Sequence, residues 1–229
     1  DMIALLGEAT GTEERAAELL GYIADLYDYL EEKLADTQKP RVYLAGNSNL
    51  LTTAGGKMYQ SGMVTLAGAE NVAADIEDTY WAEVSYEQLL KWNPDVIVLA
   101  SDASYSVEDV LADENLADCT AVKNGAVYQL PGDAEAWDSP VPSGILGSVW
   151  LASVLHGDVM GEECEDIIRR ILMTEMLEKG KNEHFKTATD FMKYFESLYP
   201  ASDSLTKQVQ RAIKSLDMPK DPNGYFIIN

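Results

Sequence analysis

The chain has 229 residues, 46% of them hydrophobic, which is enough for a sizeable core, and no apolar run long enough to span a membrane. Seventeen Lys and Arg against 39 Asp and Glu give a formal charge of −22. So acidic a surface repels phosphate backbones and anionic lipid, which argues against nucleic acid and direct membrane insertion and suits cations or basic partners.

The opening "DMIALLGEATG" has no initiator Met and no signal segment, and natural sequence is expected upstream of it. Residues 12–36 then carry a strong helical pattern. Ala16, Leu19, Leu20, Ile23, Leu26, Leu30 and Leu34 recur at three- and four-residue steps as one apolar stripe. Thr12 is the expected N-cap, with Glu13 and Glu14 at the positive end of the helix dipole. Such a helix reaches roughly 37 Å, the length of a brace for something larger than itself.

After Pro40, strands and helices alternate. "RVYLAG" (41–46) predicts a strand, "KMYQSGMVTLAG" (57–68) a helix ending at Gly68, and "NVAAD" (71–75) a short strand. "SYEQLLKWN" (85–93) predicts a helix capped by Ser85 and stopped by Pro94. "DVIVLA" (95–100) is an uninterrupted apolar run, as a parallel strand buried on both faces requires. A helix (106–116), a strand (125–131) and a helix (143–156) follow. Beyond His156, residues 162–179, 184–199 and 202–216 predict amphipathic helices with no strands between them. The fold class is α/β. A long N-terminal helix (1–38) precedes a mainly parallel, Rossmann-like sheet with helices on both faces (39–158), and a helical appendage (159–229) closes the chain.

The chemistry-bearing motifs are sparse. "LLTTAGGKM" (50–58) joins a strand to a helix, but Leu51 and Met58 replace the first glycine and the hydroxyl of a phosphate loop. What remains is either a tight turn at Gly55–Gly56 or a pair of amides open to an anionic group. His156, His184, Cys119 and Cys164 show no zinc spacing, and a Cys119–Cys164 disulfide cannot be placed from sequence. The acids Asp75, Glu77, Asp78 and Asp133, Glu135, Asp138 lack the spacing of a calcium loop. No nucleophile elbow, Cys-His pair or GxGxxG occurs, so neither an enzyme nor a cofactor is expected. An α/β enzyme domain using Gly55–Gly56 for an anionic substrate is the alternative, and a non-transport interaction module a third reading. Trp81 and Trp137 fall on connections near strand ends, where open α/β sheets bind ligands. Each either walls a ligand or plugs the space beneath its loop. Trp92 and Trp150 lie within helices and are expected in the core.

"WAEVSYEQLLKWNPDVIVLA" and "TAVKNGAVYQLPGDAEAWDSPVPSGILGSVWLASVLH" resemble the C-terminal lobe of ABC-importer substrate-binding proteins of the iron-siderophore, heme and cobalamin group (class III periplasmic binding proteins). "TAGGKMYQSGMVTLAGAENVAAD" is similar to that family's helix and its following Glu-Asn-Val turn, and the 12–36 helix stands where the family's interlobe helix stands. The resemblance covers roughly residues 1–158 and departs from the family in lacking an N-terminal lobe. It implies an extracytoplasmic solute-binding component that takes a metal chelate and docks on permease subunits. It also implies that Asn47, Ser48, Asn49, Trp81, Ser101, Asp102 and Trp137 face the ligand cleft. Glu135 or Asp138 would be the acid that docks on the permease; the residues alone do not choose between them.

Overall fold

A computed structural model describes residues 2–132, 136–141 and 144–160. The chain divides into two compact units, Asp1–Gly161 and Glu162–Asn229, and every described residue belongs to the first. The three amphipathic helices expected beyond residue 161 lie outside the described residues.

Two helices precede the sheet. The segment 1–38, expected as one long helix, is broken at Gly11 (φ 68°), which leaves α1 (Met2–Thr10) as a separate helix. It folds back on α2 (Glu13–Leu34), with Gly7 against the methyl of Ala16. Thr12 is the N-cap residue of α2, but its hydroxyl bonds to that of Thr10 (2.8 Å) instead of capping a helical N–H. The α2 stripe is buried at Ala16, Leu26, Leu30 and Leu34, and only half-buried at Leu19, Leu20 and Ile23.

The sheet has the order β4-β2-β1-β5-β6. Its parallel centre is β1 (Arg41–Ala45), β5 (Val96–Leu99) and β6 (Val127–Gln129). Two of the three short strands pair with β1: β2 (Thr52–Ala54) is antiparallel to its C-terminal half, and β3 (Glu70–Asn71) pairs in parallel with its start. The third, β4 (Trp81–Glu83), is antiparallel to β2 at the edge. The β2 and β4 segments were expected as loops, so the sheet is mixed on one side. Of the expected strand at 71–75, only Asn71 joins the sheet, paired through β3.

Alternation along the strands builds two cores. Tyr43, Ala45, Ile97 and Leu99 face α4 (Tyr86–Trp92), α5 (Val107–Leu111) and α6 (Thr120–Lys123), where Leu89, Val110, Leu116 and Cys119 are fully buried or nearly so. The opposite face is covered by α2, α3 (Tyr59–Leu66) and α7 (Ile145–Leu155), which pack on one another. Apolar on all sides, α7 is buried along most of its length. Ser85 caps α4 by accepting from the Gln88 N–H (3.1 Å), and Ser106 caps α5 through a capping box with Asp109. Asn93 ends α4 in the left-handed region (φ 44°), and its side chain accepts from the Thr120 N–H (2.8 Å), tying the "NPD" turn to α6.

Candidate functional site

The three central strands end level, since Ala45 pairs with Leu99 and Leu99 with Gln129. Their following loops therefore emerge side by side at the carboxyl edge, where open α/β sheets bind ligands. Two of these loops are tied together. The Ser104 N–H donates to the Asn47 carbonyl (2.8 Å), the Ser104 hydroxyl to the Ser48 carbonyl (3.1 Å), and the Asn47 amide to the Asp102 carboxylate. Beneath them the Tyr105 hydroxyl donates to the Gly46 carbonyl (2.7 Å) and the Tyr43 hydroxyl to that of Leu50 (2.7 Å). Asn47, Ser48, Asn49 and Asp102 are thus an exposed polar rim on a braced footing.

Ser101 joins this rim to a second feature. Its N–H and hydroxyl donate to the two carboxylate oxygens of Asp138 (3.1 and 2.8 Å). Asp138 is 5% exposed, so its acid holds the 136–141 loop down on β5 rather than standing at the rim. Gln60, near the start of α3, donates its amide to the Asp138 carbonyl (2.8 Å). Together Gln60, Asp138, Ala54, Ala100 and Trp81 bound a small recess on the α3 side of the sheet edge. Trp81 belongs to edge strand β4 rather than to a loop and is 36% exposed. Burial, with Tyr27 and Asp138 nearby, pushes the Tyr59 hydroxyl up to about 12.

Trp137 is not part of this recess. It is 6% exposed, its N–H reaches the Pro131 carbonyl (3.3 Å), and its own carbonyl lies against Gly147 of α7. It fills the space beneath its loop. Glu135, Cys164 and His184 lie outside the described residues. Cys119 is buried as a free thiol among described residues, and these contain no cluster of three metal-ligating side chains.

The Gly55–Gly56 turn is no anion cradle. The Gly55 N–H donates to the Tyr80 carbonyl and the Gly56 N–H to that of Ile76 (both 2.9 Å). Any Cβ on Gly56 would run into the Ala74 carbonyl. The glycines permit a close approach of two backbone segments, and both amides are taken. Sequence reasoning missed Gln60, Ser104 and Tyr105. Their spacing carries no motif, since each acts through a loop or strand distant in sequence.

A family model described as "Periplasmic binding protein" matches residues 1–134, well over half of the chain. The chain belongs to the periplasmic binding protein family. It is 34% identical over 158 residues to the molybdate-binding protein MolA of Haemophilus influenzae, covering 67% of this chain and 44% of that protein. The solved structure of that protein bound to molybdate matches with a TM-score of 0.61 at 32% identity, over 70% of this chain and 49% of that one. A periplasmic solute binding protein from Veillonella parvula matches with a TM-score of 0.64 at 29% identity, over 73% of this chain and 53% of that one. A vitamin B12-binding protein of Salmonella choleraesuis is 34% identical over 90 residues, 39% of this chain and 34% of that protein. The chain thus spans about half or less of the length of these relatives. They are solute-binding proteins rather than enzymes, and the family membership makes this chain extracytoplasmic. Among the described residues no helix is long and apolar enough to cross a membrane.

Proposed function

We propose that this chain provides the C-terminal lobe of the solute-binding component of an ABC importer, and that it binds a metal chelate such as a ferric siderophore, heme or cobalamin. The observation that carries the reading is the level carboxyl edge of β1, β5 and β6, where a braced polar rim and a recess under Trp81 lie on either side of Ser101. A broad surface of hydroxyls, amides and an aromatic suits a large ligand whose own donors and acceptors are spread over its outside. In this reading Asn47, Ser48, Asn49, Ser101, Asp102 and Trp81 contact the ligand. Trp137 supports the loop from below.

No covalent chemistry is needed; the work is the difference in affinity between free and permease-docked states. Residues 1–38 act as the interlobe brace, 39–158 as the lobe, and 159–229 as a helical appendage. Because Asp138 is buried and already bonded to Ser101, the permease-docking role passes to Glu135. A rim acid of that kind steers association and fixes register more than it adds affinity.

The test is a titration of the full chain with ferrichrome, ferrioxamine B (a ferric siderophore with a free ammonium group), hemin and cyanocobalamin, followed by calorimetry and tryptophan fluorescence. Saturable binding of at least one, weakened by Trp81→Ala and by Asn47→Ala, is expected. No binding of any of them overturns the reading.

A further inference from the structure

Two polar residues, Gln60 and Asp138, stand at a recess otherwise walled by apolar side chains such as Leu44, Val98 and Leu130. The Gln60 Oε1 is buried and meets no donor among the described residues. Turning the amide over would set that oxygen against the Asp138 carbonyl, which now accepts from Nε2, so the unmatched atom is an acceptor. Asp138, whose side chain is buried, lines the same recess. Two hydrogen bonds from Ser101 serve its carboxylate, and no ion pair among the described residues neutralises it. A buried acceptor without a donor, and a buried anion without a cation, are each costly in isolation. Here they share one small space with the ring of Trp81, itself attractive to cations through its face.

The charge around the site runs the same way. From residue 42 to residue 168 the sequence holds three lysines and no arginine. Lys91 and Lys123 stand in the last turns of α4 and α6, which lead into the starts of β5 and β6, so they lie at the opposite edge of the sheet. Lys57 is exposed in the turn before α3. The carboxyl edge itself carries the exposed acids Asp102 and Glu83, with Asp138 buried behind them.

We propose that the recess formed by Gln60, Asp138 and Trp81 is a subsite for a positively charged, hydrogen-bond-donating group on the ligand, of ammonium or amine size, and that it rejects oxoanions such as molybdate. The free Gln60 oxygen accepts one N–H, the remaining lone pairs of Asp138 accept another, and the Trp81 ring covers the charge. There is room for about one water-sized group, so the subsite grips one substituent and leaves the body of the ligand to the polar rim. This rests on the cleft assignment made above and narrows its ligand class. It also separates the chain from its 34% identical relative, which is named for molybdate.

The test is a titration of the 15N-labelled full chain with methylammonium chloride, against potassium chloride at equal ionic strength, and separately with sodium molybdate. Methylammonium is expected to shift the Gln60 side-chain amide, the Ser101 amide and the Trp81 indole resonances saturably, and molybdate to leave them in place. Gln60→Met keeps the size of the side chain, removes both the acceptor and the amide that donates to the Asp138 carbonyl, and should weaken the methylammonium response about tenfold, whereas Gln60→Glu, which loses the same amide but keeps an acceptor, should retain it. The proposal is overturned if molybdate moves these resonances or if Gln60→Met titrates like the parent. It is equally overturned if methylammonium does no more than potassium, which would mark a water site only. A chain that binds methylammonium here but no chelate would keep the subsite and discard the proposed transport role.

Discussion

Ser101 and Asp138, 37 residues apart, are joined by two hydrogen bonds, from the N–H (3.1 Å) and the hydroxyl (2.8 Å) of the serine to the two oxygens of the acid. The pair fastens the loop after β6 to the end of β5 and so fixes one wall of the recess. Asp138→Ala removes both acceptors at once and leaves the Ser101 donors unmatched, a loss of about 2 kcal/mol. Ser101→Ala removes one bond and should cost about half as much. Urea unfolding checks both, since a shifted midpoint at unchanged slope reports stability alone. Equal midpoints for Asp138→Ala and the parent would show that the carboxylate does not hold the loop.

The two connection tryptophans should separate cleanly under mutation. Trp137 is buried, and Trp137→Ala is expected to cost about 3–5 kcal/mol through the cavity it leaves. Trp81 lies at the sheet edge with a third of its surface open, so Trp81→Ala should cost no more than about 1 kcal/mol. Ligand quenching should follow the opposite order, lost with Trp81→Ala and retained in Trp137→Phe. Thermal melts and fluorescence titrations on the same three proteins decide the matter.

The parts of the fold legible in the sequence are those governed by local rules. The apolar run of β5, the Ser85 and Ser106 caps, and the Asn93-Pro94 stop at the end of α4 each follow from residues within a few positions of one another. The β2 and β4 strands escaped because each is three residues long and exists by virtue of the other: Thr52 faces Glu83 and Ala54 faces Trp81 across 27 or more positions of chain. Trp81 was accordingly expected on a loop and sits in an edge strand. Residues 106–116, expected as one helix, break after Leu111, and Asp113 starts a separate 3₁₀ turn by accepting from the Asn115 N–H (2.9 Å). The site shows the same division. Asn47, Ser48 and Asp102 share a rim because their strands are neighbours, whereas the role of Gln60 depends on where a distant loop places one carbonyl.

Two glycines offer a paired prediction. Gly56→Ala drives a methyl into the Ala74 carbonyl, and the obstacle is backbone, with no flexible side chain to yield. The expected cost is about 3 kcal/mol, at the upper end for overpacking. Gly21 lies within α2, and nothing stands within 4 Å of the place its Cβ would take. Gly21→Ala should therefore stabilise by about 0.5–1 kcal/mol, through better helix propensity and a less disordered unfolded chain. Melting temperatures of the two variants should move in opposite directions, and a shared direction would refute the account of the Gly55–Gly56 turn.

Alkaline pH should unfold this domain through its tyrosines. Burial raises the hydroxyl of Tyr59 from 10.0 to about 12, with Tyr27 and Asp138 adding to it, and burial raises those of Tyr43 and Tyr105 as well. A folded-state value above the unfolded one means that the native protein holds its proton where the unfolded chain has released it. The resulting stability is complete below the unfolded value, falls as pH rises past 10.0, and is lost on passing the folded value near 12. Tyr43 and Tyr105 sharpen the effect, because their hydroxyls donate to the Leu50 and Gly46 carbonyls beneath the polar rim, and ionisation turns those donors into acceptors. The expected outcome is a late rise in tyrosinate absorbance that coincides with loss of far-ultraviolet circular dichroism. A fold that survives while every tyrosine ionises would show that these hydroxyls do not hold the loops on which the rim stands.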